Sequence, residues 1–385
     1  MRVLFATPAY WPATAFGGPT RAAKELGEGL VEAGWSVHVL TTSLRSVDEA
    51  PHSRFHTERT LVGGPVVTYL ATPLRYRWMG ITPTLPLALP WRDRPDVVHL
   101  FGYRDVVTTL TAAWARALHI PYVFEPLDMF VPRFRNVPMK EAFDRVIGEP
   151  VARAAKLIVA CSEHEKRELV AAGLDAERIA VRPNGFPPPQ TERSGPGLRE
   201  RLGIGEHVPF VVNVGRLSFK KGLDLLVDAV AQLDGVHVAL VGPDDGDGTR
   251  QALELQVQRL GLEDRVHFTG PLDTSRPLDV YGDADLFVLP SRNESFGIVA
   301  AEAAACGVPV VVTDRCGVAE VLGGAALVVA CAPEPIRDAI ARVLDDEQLR
   351  QELADAGPRM ARAWSWRSLV ERQIELYERA MGRHG

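Results

Sequence analysis

The 385-residue chain is short of the features that mark specialised proteins. It has four cysteines, Cys161, Cys306, Cys316 and Cys331. None forms a C-x-x-C pair or has a histidine at zinc-ligand spacing. This excludes a disulfide scaffold and a zinc module and fits a reducing compartment. No uncharged apolar run approaches the ~18–20 residues of a membrane span. The opening stretch Met1–Ala6 meets Pro8 and a turn too soon for the apolar core of a secretory leader, so a cytoplasmic protein is expected. The G-x-x-x-x-G-K-[ST] pattern is absent, which excludes P-loop chemistry. Excess basic charge is absent too: 43 Lys and Arg face 49 Asp and Glu, for a net charge of −6, and nucleic acid is not an expected partner. There is no internal repeat and no low-complexity tract beyond a few prolines.

What remains is ordinary globular composition, 46% hydrophobic and 24% charged, long enough for two or three domains. The charge is uneven. Residues 1–190 carry 22 basic against 19 acidic side chains, and the remainder carries 21 against 30, the mark of two lobes with different surfaces. Both halves alternate short apolar runs with helical periodicity. In the first half the expected strands are Val3–Thr7, Val37–Leu40, Asp96–Leu100, Pro121–Phe124 and Leu157–Ala160, with helices near Thr20–Ala33 and Val106–Leu118. In the second they are Phe210–Val214, Val236–Val241, Val266–Thr269, Leu286–Leu289 and Val308–Thr313, with helices Gly222–Leu233, Arg250–Leu260 and Val299–Ala305. This rhythm predicts right-handed βαβ units on parallel sheets. The Pro-dense stretch Arg182–Pro189, continuing into the polar run Gln190–Gly197, reads as a hinge. The fold class expected is therefore α/β, two doubly wound Rossmann-like lobes facing a central cleft, with ligand at the carboxyl ends of the strands. The domains expected are 1–182, a linker at 183–196, a second lobe at 197–363 and a terminal helix at 364–385, with Ser365 as its N-cap.

The segment Pro290–Ala303 carries the most chemistry. Glu294 and Glu302 stand either side of a helix start at Phe296-Gly297-Ile298-Val299. The first N–H groups of a helix lack internal partners and carry partial positive charge, so such an end suits a phosphate. Gly297 adds no side chain to block a close approach. The two glutamates can accept hydrogen bonds from hydroxyls on either side, as a sugar and a ribose would present. Upstream, the strand Val211–Val214 runs into Gly215-Arg216-Leu217, and Lys221-Gly222 opens the next helix. Arg216 supplies a planar donor fork and Lys221 a point charge, together enough to neutralise a diphosphate. Lys220 reads as a solvated neighbour.

Taken together, Gly215-Arg216-Leu217…Lys221-Gly222, Glu294-Ser-Phe-Gly-Ile…Glu302-Ala and Cys306-Gly307-Val308-Pro309-Val310 resemble glycosyltransferase family four. Pro8…Gly17-Gly18-Pro19, Asp96-Val97-Val98-His99, Pro183-Asn184-Gly185 and the helix after Trp366 fall in family order. The resemblance implies retaining nucleotide-sugar transferases of the GT-B fold. It implies that Arg216 and Lys221 hold the donor diphosphate, that Glu302 accepts from the ribose and that Glu294 contacts the transferred sugar. It further implies that the backbone of Phe296, Gly297 and Ile298 meets phosphate and sugar, that Gly17 and Gly18 add N–H groups, and that the terminal helix crosses back to the first lobe. The chain departs from the family in the first lobe. It reads His99-Leu100-Phe101 where many members have His-x-His, and Glu125-Pro126-Leu127-Asp128-Met129 where many have His-Gly. Asp128, Glu125 and His99 are the polar groups left as candidates near a reacting centre.

Two other signals read as structural. Asp283-Ala284-Asp285 has the D-x-D pattern but precedes a buried strand without a further metal ligand, and Asp244–Gly248 lacks the late glutamate of a calcium loop. No metal or cofactor is expected. The run Leu74–Gly80 through Trp91–Arg94 mixes arginines, aromatics and prolines. It reads as an irregular connection, or as a surface for a lipid-linked acceptor or a membrane. The expected activity is transfer of a hexose from a nucleotide diphosphate sugar, UDP-linked before GDP-mannose, to an unidentified hydroxyl acceptor. A nucleotide-sugar epimerase on the same fold and a non-catalytic nucleotide-sugar sensor are the alternatives.

Overall fold

A computed structural model describes residues 1–13, 16–45, 58–61, 64–76, 79–134, 136–188, 195–272 and 277–383. The apolar runs fold as strands whose side chains are enclosed on both faces, as parallel sheets covered by helices require. In chain order the strands of the first half are β1 (Arg2–Ala6), β2 (Ser36–Thr42), β3 (Glu58–Leu61), β4 (Val66–Leu70), β5 (Leu74–Tyr76), β6 (Met79–Ile81), β7 (Val97–Phe101), β8 (Tyr122–Glu125), β9 (Leu157–Ala160) and β10 (Ile179–Val181). Those of the second half are β11 (Phe210–Val214), β12 (His237–Val241), β13 (Val266–Gly270), β14 (Leu286–Leu289), β15 (Val310–Thr313) and β16 (Ala326–Val329).

Among the described residues these strands make one eight-stranded sheet, one six-stranded sheet and a two-stranded hairpin. The first sheet runs β10-β9-β8-β7-β1-β2-β4-β3, parallel except for the antiparallel edge strand β3. The second runs β13-β12-β11-β14-β15-β16 and is parallel throughout. Both are doubly wound. Strand order reverses between β1 and β7 in one sheet and between β11 and β14 in the other, and in such sheets that reversal opens a crevice at the strands' carboxyl ends.

The chain divides into two compact units, Met1–Asn184 with Trp366–Gly385, and Gly185–Ser365. The first passage between them falls within the expected linker, of which residues 189–194 lie outside the described residues. The terminal helix Trp366–Ala380 belongs to the first unit. Its Val370, Leu376 and Tyr377 join Val3, Phe5, Val37 and Val39 in one apolar cluster. The second unit closes on itself where the amide of Phe186 donates to the Trp364 carbonyl at 2.9 Å, beside the Phe186–Ser365 bridge.

Several elements are additions to the sequence reading. The strands β3 and β4 are not among the expected elements, and the run Leu74–Gly80 through Trp91–Arg94, expected as an irregular connection, holds the β5–β6 strand pair and a short helix, Leu85–Ala88. Arg77 and Trp78, between the hairpin strands, lie outside the described residues. Short strands such as β10, three residues long, and β16, with its exposed Val328, have too little alternation or length to register as periodic. The helices Pro333–Asp345 and Glu347–Ala363 are amphipathic; the first packs on the second sheet and the second against the helix Ile298–Ala305, and the second even carries Pro358 within it.

Candidate active site

In the second unit the loops after β11 and β14, the two strands flanking the reversal, meet. Gly222 has φ 63°, and a side chain there would put its Cβ 2.2 Å from the Pro290 carbonyl oxygen, so only glycine lets the loops touch backbone to backbone. The contact is reinforced from both sides. The Arg292 amide donates to the Lys220 carbonyl at 2.8 Å, and the Arg292 guanidinium grips both Asp224 oxygens at 2.7 and 2.6 Å.

This lacing sets Lys221 against Glu294, Nζ to Oε2, at 2.6 Å, with side chains 16% and 15% exposed. The Glu294 backbone is fixed in turn, its amide donating to the Arg315 carbonyl and its carbonyl accepting from Gly317, both at 2.9 Å. Burial alone would raise the Glu294 carboxyl. Lys221, then Lys220 and Arg216, outweigh it and hold the group at about 2, ionised throughout the neutral range. Arg216 leaves the end of β11 as a half-exposed side chain and donates to Asp245 Oδ1 at 2.6 Å. Three residues past Glu294, Gly297 (φ 106°) opens the helix Ile298–Ala305, and Leu289 crowds the place where a Cβ would stand. Phe296 is buried, Ile298 and Val299 are half-buried, and Glu302, one turn into the helix, is buried with Oε2 accepting the Tyr281 hydroxyl at 2.9 Å.

Arg216, Lys221, Glu294, Phe296, Gly297, Ile298, Val299 and Glu302 thus share one unit, on loops and a helix start at one sheet's reversal point. The remaining candidates stand in the other unit. Gly17 (φ 83°) caps the helix Gly18–Glu32, with its carbonyl accepting the Thr20 hydroxyl at 2.8 Å. Asp128 (φ 64°) follows β8; its amide donates to Glu165 Oε1 at 2.8 Å and its carboxylate meets Arg133 at 3.3 Å. His99 has no exposed surface. Its Nε2 lies 3.2 Å from Glu125 Oε2 and its Nδ1 lies 2.7 Å from the Tyr377 hydroxyl. Glu125 is equally buried and pairs with the buried Arg182 at 2.6 Å. Burial lowers His99. The carboxyl of Glu125, which burial would raise, is held at about 2 by Arg182 and His99. His99 and Glu125 therefore form a structural network, and the expectation that either stands open to a substrate gives way to that burial.

Asp285 of the D-x-D pattern accepts from the Phe210 amide and from Arg199, both at 2.8 Å, so it braces the base of β11. Asp244 accepts from the Gly246 amide at 3.0 Å, closing a turn. Among the described residues no group of three His, Cys, Asp or Glu side chains is placed to hold a metal ion, and no helix is long and apolar enough to cross a membrane. Sequence reasoning missed the pairing of Arg216 with Asp245 and the Asp224–Arg292 brace. The only available trace of the first was an acidic turn directly after β12, the strand next to β11.

Residues 196–360 match the family model "Glycosyl transferases group 1" and residues 17–185 match "Glycosyl transferase 4-like domain". A D-inositol 3-phosphate glycosyltransferase of Xylanimonas cellulosilytica is 34% identical over 308 residues, 73% of each chain. Matches to three further relatives of that name span 55–61% of their length. Among solved structures, sucrose-phosphate synthase from Thermosynechococcus elongatus superposes with a TM-score of 0.78 at 22% identity over the whole of both chains. Anabaena HepE in complex with UDP-glucose does so at 0.77 and 23%, over 98% of this chain and 99% of that one.

Proposed function

The chain belongs to the family-four glycosyltransferases of the GT-B fold, and from that premise we propose that it moves a hexose from a UDP-sugar to an acceptor hydroxyl with retention at the anomeric carbon. The observation that carries this reading is the Lys221–Glu294 pair, set at a helix start beside Arg216 at the sheet's reversal point. Arg216, Lys221 and the first-turn amides of the helix Ile298–Ala305 are preorganised donors for charge developing on a departing diphosphate. Glu294, ionised and fixed through its backbone, is an acceptor for the hydroxyls of the transferred sugar. In this reading Glu302 accepts from the ribose while it keeps its bond from the Tyr281 hydroxyl. The leaving phosphate itself takes the acceptor proton, so same-face transfer needs no strong base from the protein. Two protein cations supply the charge that a divalent metal would otherwise bring to the diphosphate, and we propose metal-independent turnover.

The test is a thermal-shift panel of UDP-, GDP- and ADP-sugars followed by transfer assays, with inositol phosphate among the acceptors because relatives are named for it. Selective stabilisation by a UDP-sugar follows from the proposal by mass action. Stabilisation by a GDP- or ADP-sugar alone would reassign the base. Epimer formation from UDP-N-acetylglucosamine without acceptor would replace the transferase reading.

A further inference from the structure

Each cation proposed for the diphosphate already faces a carboxylate of the protein, and the two pairs differ in kind. Lys221–Glu294 is enclosed at 16% and 15% exposure, whereas Arg216–Asp245 stands at 54% and 30%. Asp245 reaches Arg216 because the backbone puts it there. Beyond the paired strands β11 and β12 the two chains continue in parallel register. The Leu217 amide donates to the Pro243 carbonyl at 2.8 Å and the Asp245 amide donates back to the Leu217 carbonyl at 3.2 Å, around a Leu217–Asp244 bridge. The Asp247 carboxylate adds a bond from the Phe219 amide at 3.2 Å. The acidic turn is thus stitched to the Arg216 loop at Leu217 and Phe219, directly after the arginine. Across this stitched backbone the side chains of Arg216 and Asp245 meet at 2.6 Å.

From this geometry we infer that Asp245 is a specificity-determining residue, a built-in carboxylate that occupies the Arg216 guanidinium until a donor diphosphate displaces it. The inference rests on the donor reading above. A carboxylate bears one charge and offers a short bite, so a singly charged or weakly basic anion gains little by replacing it. A diphosphate brings more charge and reaches Lys221 as well as Arg216. The turn therefore screens the site against small anions at the expense of some donor affinity. Its own carboxyl is raised, first by burial and then by Asp247 and Asp244 against the pull of Arg216.

The experiment measures by calorimetry the Kd of whichever of UDP, GDP or ADP most raises the Tm of the full chain, for wild type, Asp245→Asn, Arg216→Ala and the double variant, with inorganic phosphate as competitor. An exposed ion pair of this kind contributes modestly, so Asp245→Asn is expected to tighten nucleotide binding by about two- to fivefold. It is also expected to make binding more sensitive to phosphate. Arg216→Ala should weaken binding, and the gain from Asp245→Asn should vanish in its background. A mere structural role for Asp245 would loosen binding or leave it unchanged. If Arg216→Ala weakens binding but Asp245→Asn does not tighten it, the screening role is wrong and the donor site stands. If no nucleotide raises the Tm, or Arg216→Ala changes nothing, the donor reading fails first.

Discussion

The two units use the same architecture and bury charge in opposite ways. In the first, Glu125, Arg182 and His99 form a network without solvent exposure, completed by the Tyr377 hydroxyl on the terminal helix. In the second, Lys221, Glu294, Arg216 and Asp245 form pairs at strand ends that keep a fraction of their surface open. Desolvation makes the difference. A wholly buried pair has no route by which a ligand can replace one partner, and breaking it strands a charge. A partly exposed pair can trade its carboxylate for an incoming phosphate at little cost. Both sets involve depressed glutamates, so a shifted titration does not by itself separate structure from site.

The largest effect expected from this contrast is on stability in the first unit. Arg182→Met leaves Glu125 in the core without its guanidinium partner and should cost about 3–5 kcal/mol. Chemical denaturation followed by tryptophan fluorescence reads this, and a midpoint equal to wild type would refute the view of the network as structural.

Next is a pH dependence. Glu165, buried and accepting the amides of Cys161 and Asp128, is raised from 4.5 to about 7, chiefly by burial. Its folded form holds a proton that the unfolded chain has lost. Stability should therefore decline as pH rises from 4.5 toward 7, on the order of 2–3 kcal/mol. Glu125 and Glu294 act in the other direction. Their contribution is present above 4.5 and lost as pH falls toward 2. Glu165→Gln should flatten the upper decline and leave the acid limb intact; thermal melts across that range check both.

Third come the two partners of the enclosed pair in the second unit. Lys221→Ala should weaken nucleotide binding by about 2 kcal/mol, roughly 30-fold. Glu294→Gln should lower transfer about a hundredfold while nucleotide affinity changes less. A Glu294→Gln variant whose loss lay entirely in nucleotide affinity would move Glu294 from the sugar to the diphosphate. The smallest effect is expected from metal removal: EDTA should leave turnover within error of the untreated enzyme, and restoration of a lost rate by Mg²⁺ would end the proposal of metal independence.

Much of the second unit was legible along the chain. Phe210–Val214 and Leu286–Leu289 form strands at those very bounds, and Gly297 starts its helix, because apolar runs, strand ends and helix starts are local patterns. The first unit was less so. Its edge strands are short or polar, and Glu125 and His99 looked like open polar groups after apolar strands because nothing nearby in sequence announces Arg182 or Tyr377. The D-x-D pattern likewise acquires its meaning only from Arg199 and the Phe210 amide.

By itself, then, the chain determined where strands end, where the Ile298–Ala305 helix begins, and that Arg216, Lys221, Glu294 and Glu302 stand at those places. Only the tertiary structure decided which charges meet. Lys221 pairs with a residue 73 positions away, Arg182 with one 57 away, and His99 with one 278 away. Periodicity records which face of an element is buried. An ion pair requires two side-chain ends brought within about 3 Å, and whether water reaches them is set by packing from elements far apart in sequence.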